Sequence, residues 1–171
     1  MTKFVKFAAL AATVLATTPA LAAPVGVAGA PPSATARIIR PLTLTSTGSL
    51  NFGTIVLNGV TANRTVALDD GNVLDCGAGT TELQCSGATS VPTYNVRGTN
   101  NQVVTIIKTA TLLTNANDGS TLSMTPTGLP NVTLTNSGAP GRDFTIGGTI
   151  VIGAATTDGV YSGVVNVTVD Y

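Results

Sequence analysis

Residues 160–171, VYSGVVNVTVDY, alternate with a period of two. Tyr161, Gly163, Val165, Val167, Val169 and Tyr171 fall on one side, and Ser162, Val164, Asn166, Thr168 and Asp170 on the other. A strand sends successive side chains to opposite faces, so the stretch predicts a strand with one buried face. No polar tail follows Tyr171. The expectation is that the chain stops on its best strand, with an edge left free to pair.

The same alternation recurs upstream. ATARIIRPLTLT (34–45) places Ala34, Ala36, Ile38, Leu42 and Leu44 on one face, interrupted by Arg40, and Pro41 makes it an edge or bulged strand. SLNFGTIVL follows, then Asn58-Gly59, a tight-turn dipeptide. TANRTVAL ends at the turn DDGN (69–72), SVPTYNVRG covers 90–98, and QVVTIIK (102–108) is the most apolar run. ATLLT, STLSMT and NVTLT are shorter strands, and DFTIGGTIVIG (143–153) carries a bulge at Gly147-Gly148. Eight or nine short strands with a turn about every ten residues predict an all-β sandwich. The abundance of Val, Thr, Gly and Asn over Glu and Lys agrees.

The first 22 residues have the form of a leader. MTKFVK supplies two lysines, FAALAATVLATTPALA an apolar run, and Ala20-Leu21-Ala22 a small-x-small cleavage site, with a cut after Ala23 as the alternative. The run is short for a bilayer span, so the chain is expected to be exported through the periplasm to the surface or beyond, without membrane insertion. Removing the leader leaves 149 of the 171 residues, the size of one domain with one core. Lys108 and five arginines then stand against eight acids, a net charge of −2. That balance gives no basic footprint for nucleic acid and no polybasic patch for lipid. Residues 23–33, APVGVAGAPPS, hold three prolines, two glycines and no charge, and form an extended arm ahead of the sandwich at 34–171.

Cys76 and Cys85 are the only cysteines. In an exported chain such a pair predicts a disulfide, closing a ten-residue loop worth roughly 2.7 kcal/mol on a chain-entropy model. A metal is the alternative, but the chain has no His and no second thiol pair.

Catalytic groups are scarce. Without His the commonest general base is missing. Lys108 ends an apolar strand and is expected to cap it. Asp69-Asp70 sit in a turn, where Asp bonds its own backbone; a calcium loop is the alternative, but it needs more oxygens at alternating positions. The mature chain has five aromatics, Phe52, Tyr94, Phe144, Tyr161 and Tyr171, too few for a stacking surface. No enzyme and no cofactor are expected.

PLTLTSTGSLNFGTIV (41–56) and GTIVIGAATTDGVYSGVVNVTVDY (148–171) resemble a family of exported Gram-negative proteins, domain-of-unknown-function family 4402. The Gly-x-Tyr-x-Gly turn into a tyrosine-terminated last strand, and the motif Asn51-Phe52-Gly53, are more distantly similar to chaperone–usher pilin subunits and spore-coat-protein-U type domains. The resemblance implies an immunoglobulin-like sandwich lacking its last strand. It implies a fimbrial, adhesive subunit completed by donor-strand complementation. The partners implied are neighbouring identical or related subunits, a periplasmic chaperone and an outer-membrane usher. Four apolar donor side chains at about 1.5–3 kcal/mol each supply roughly 6–12 kcal/mol, comparable to a domain's net stability. The arm at 23–33, with Val25, Val27 and Gly29 in alternation, is the expected donor; residues 34–44, with Ile38, Leu42 and Leu44, are the alternative. The contrasting expectation is a monomeric secreted binding module whose groove is covered by its own residues 34–44.

Overall fold

β-branched threonine, valine and isoleucine dominate the segments that become strands, because a branched Cβ favours extended backbone and packs well on a pleated surface. The structure, a computed structural model, describes residues 23–171; the expected leader lies outside them. Ile38–Tyr171 forms the β unit, and residues 23–37 carry no strand and are exposed throughout. The strands are β1 (Thr43–Thr47), β2 (Thr54–Leu57), β3 (Arg64–Leu68), β4 (Leu74–Cys76), β5 (Leu83–Ser86), β6 (Thr93–Arg97) and β7 (Val103–Thr109). They continue with β8 (Thr111–Asn115), β9 (Thr121–Thr127), β10 (Asn131–Thr133), β11 (Arg142–Thr145), β12 (Gly147–Ile152), β13 (Tyr161–Ser162) and β14 (Asn166–Asp170). The described residues contain no helix.

These segments are pieces of eight strand paths. β1 pairs with β6 and β2 with β5, both antiparallel, and an Asn51–Ser90 bridge lies between the two ladders. Residues 43–57 therefore run as one long partner of residues 83–97, with β11 on the far side of β6. The opposite sheet is built from the path of β13 and β14, the path of β8 and β7, the path of β9 and β10, then β12, β3 and β4. Residues 142–152 serve both layers, since β11 pairs with β6 while β12 pairs with β9 and β3. The crossing falls at buried Ile146 and at Gly147-Gly148, the expected bulge, where a Cβ on Gly147 would collide with the Leu68 carbonyl.

Two apolar clusters fill the sandwich. Phe52, Val66, Leu68, Leu83, Leu122, Met124, Ile150 and Ile152 form one. Tyr94, Val96, Val104, Ile106, Val132, Leu134, Phe144 and Ile146 form the other, with the Tyr94 and Phe144 rings stacked at 5.4 Å. The disulfide Cys76–Cys85 joins β4 of one sheet to β5 of the other.

Two expectations from local sequence are corrected. The first strand begins at Thr43, not Ala34. Pro41 has no N–H to give a ladder, and the Arg40 N–H is already donated to Thr99 Oγ1 at 2.6 Å. Asn58-Gly59 does not close a hairpin. The Asn58 N–H extends the β2–β5 ladder by donating to the Glu82 carbonyl at 2.7 Å, and the chain then crosses to β3 in the other sheet.

Candidate functional site: an open strand edge

Asn51-Phe52-Gly53 marks a change of phase. Leu42, Leu44, Leu50 and Phe52 face inward at even positions, but Ile55 and Leu57 face inward at odd ones. The partner path changes phase opposite, from Leu83 and Cys85 to Pro92, Tyr94 and Val96. Gly53 absorbs the irregularity at φ 76°, a left-handed conformation that glycine tolerates best. Asn51 fixes it, with Oδ1 accepting the Gly53 N–H at 2.9 Å and Nδ2 donating to the Ala88 carbonyl at 3.2 Å. This motif thus shapes the scaffold and lets one strand path serve both apolar clusters.

A second phase change shapes the edge itself. Val104, Ile106 and Lys108 of β7 turn inward at even positions, whereas Thr111, Leu113 and Asn115 of β8 do so at odd ones. One extra residue around Ala110, a bulge, accounts for the change, since Ser162 pairs with Thr114 but Asn166 with Thr109. The expected continuous strand 161–171 is interrupted opposite this bulge. Gly163 lies in the break and is exposed, and a Cβ there would stand 2.7 Å from the Leu112 carbonyl oxygen.

Beyond the break, β14 pairs with β7 on one side and with no strand among the described residues on the other. β1 likewise pairs only with β6. Val165, Val167, Val169 and Tyr171 from the β14 path, and Leu42 and Leu44 from the β1 path, pack on the same apolar cluster, yet all six remain only half-buried. The residues that ought to be core are therefore left partly wet along one side of the sandwich. Tyr161 lies at the other end of the path, against the first cluster. Its hydroxyl meets Ser120 Oγ and Thr157 Oγ1 at 3.0 Å each, bonds that hold it below the usual tyrosine range.

Sequence reasoning missed the contact that spans this side. The Tyr171 hydroxyl donates to the Arg40 carbonyl at 2.5 Å and accepts the Thr99 N–H at 2.8 Å. A tyrosine on the inward phase was the available signal, but its partners lie 131 and 72 residues away in sequence. The arm residues Val25 and Val27 are 97% and 70% exposed, and Gly29 sits in a bend at φ 96°.

The groups weighed for chemistry fall into structural roles. Lys108 Nζ donates to the Gly128 and Leu129 carbonyls, both at 2.8 Å. Asp69 Oδ1 accepts the Val73 N–H at 2.7 Å within its turn. No three His, Cys, Asp or Glu side chains among the described residues gather as a metal would require. No helix among them is long and apolar enough to cross a membrane.

A family model described as "Domain of unknown function (DUF4402)" matches residues 42–171, from the approach to β1 through β14. No curated protein and no solved structure matches the chain.

Proposed function

The chain belongs to the DUF4402 family, and from that premise we propose that it is a non-catalytic structural subunit of an exported surface fibre or coat. In this reading each copy accepts a strand from its neighbour along the free edge of β14. The observation that carries the proposal is that β1 and β14 each have one edge without a strand partner among the described residues, with six half-buried apolar side chains from their paths packed on one cluster. An unpaired strand edge beside wet apolar surface is a template for adding a strand. The exposed arm offers two alternating valines, each worth about 1.5–3 kcal/mol on full burial. Because the donor and acceptor lie on different parts of one chain, the contact is head-to-tail and builds a filament unless its rotation closes a ring. In transit through the periplasm the same edge needs a chaperone to occupy it, and an outer-membrane usher to exchange that chaperone for the next subunit.

A second reading, a monomeric exported binding module, has one observation in its favour. Leu42, Leu44 and the Tyr171–Arg40 hydrogen bond already cover part of the edge from within. Size analysis of the purified full chain separates the two. The fibre reading expects ladders of multiples that survive unheated detergent, and their loss when Val25→Asp and Val27→Asp are combined. A single monomeric species in both proteins contradicts it.

A further inference from the structure

Resting on the strand-acceptor reading, we infer that Tyr171 is a latch that slows entry of the donor strand. Its hydroxyl leaves the inward face of the β14 path and reaches across the side of the sandwich to the backbone leading into β1. There it donates to the Arg40 carbonyl and accepts the Thr99 N–H, while Thr99 Oγ1 accepts the Arg40 N–H at 2.6 Å. Three backbone groups and two side chains thus close a small ring. It ties the segment before β1, the loop after β6 and the end of the β14 path.

The fit is tight. A Cβ on Gly98 would collide with the Tyr171 hydroxyl and stand 2.8 Å from Leu42 Cδ2 and 3.0 Å from Leu134 Cδ1. Glycine at 98 therefore lets the ring and hydroxyl approach the backbone. Leu42 and Leu44 follow directly on the tied segment and pack on the same apolar cluster as Val165, Val167 and Val169. A strand that adds to β14 must bury its own side chains on the cluster that these leucines partly cover, so the tied segment has to give way first. The latch holds the edge in a partly closed state that resists unguided pairing, and its release commits the subunit to a partner.

The test measures uptake of a fluorescent peptide of residues 23–33 by the purified full chain carrying Val25→Asp and Val27→Asp, whose own arm cannot fill a neighbour's edge; this parent is compared with two further variants of it. Tyr171→Phe keeps the ring and removes the hydroxyl's contacts with the Arg40 carbonyl, the Thr99 N–H and Thr99 Oγ1. Thr99→Val removes the acceptor for the Arg40 N–H and leaves the Tyr171 bonds to backbone in place. Each neutral hydrogen bond lost before the barrier speeds entry by several-fold, so Tyr171→Phe should take up peptide about tenfold faster than the parent, and Thr99→Val by a smaller factor. The amount bound at saturation should be unchanged. Uptake by both variants at the original rate or slower overturns the latch and leaves the strand-acceptor reading standing. No uptake by any of the three chains, each with its β circular dichroism intact, overturns both.

Discussion

Gly53 occupies a left-handed conformation at φ 76°, and a Cβ there would stand 2.6 Å from the Ser86 carbonyl oxygen. Gly53→Ala must distort either the phase change or the β2–β5 ladder beside it, and should cost about 1–3 kcal/mol in urea unfolding. Ala at the exposed Gly59, also at positive φ but with open space around its Cβ, should cost less. A second prediction concerns charge. Hydrogen bonds from Arg64 and then Thr61 hold the Glu82 carboxyl at about 2, against an ordinary value of 4.5. Its folded-state pKa is depressed, so the stability it contributes is present above about pH 4.5 and is lost as pH falls toward 2. The Tm of Glu82→Gln should therefore fall less than that of the unaltered chain across this window. Asn51-Phe52-Gly53 was visible as a motif in the sequence, but its work as a phase switch was not. That work depends on Ser86 and Ala88, which the fold brings opposite it.

Strand elements were legible wherever period-two alternation is unbroken, as in β9 and β12 with Leu122, Met124, Ile150 and Ile152 inward. The bulges were harder to see, because a phase change is defined by the partner strand as well as by local sequence. Residues 102–114 look like two strands in sequence and are one path with a bulge at Ala110. This yields a sharp expectation. Deleting Ala110 would remove the doubled outward pair Thr109-Ala110 and make β7 and β8 one regular strand, with Leu113 and Asn115 still inward and Leu112 and Thr114 still outward. The deletion should therefore retain a cooperative thermal transition, as should Ala110→Thr at an exposed position, and a deletion variant without one would contradict the bulge. The cysteine pair was legible at once, because an even pair closing a short loop has few alternatives. That it staples two sheets, β4 to β5, needed the topology.

At the scale of the whole molecule, an all-β sandwich followed from composition and turn spacing. The open side did not, since it is defined by two edges whose side chains share one cluster although β1 and β14 stand at opposite ends of the β unit in sequence. The final strand's alternation pointed to a buried face at Val165, Val167, Val169 and Tyr171. Only the structure shows that this face stays half-wet and is bridged by one tyrosine. If the chain is a strand acceptor, this edge receives an extended segment from another copy. The decisive measurement is amide hydrogen exchange over residues 163–171 of the full chain carrying Val25→Asp and Val27→Asp, before and after saturating addition of the unaltered 23–33 peptide. Edge-facing amides of β14 should exchange rapidly without peptide and slow by about tenfold or more with it, as new ladder bonds form. A peptide carrying Val25→Asp and Val27→Asp should give no such protection. Unchanged exchange across β14 at saturating peptide, or protection that appears elsewhere on the sheets instead, would contradict the strand-acceptor reading.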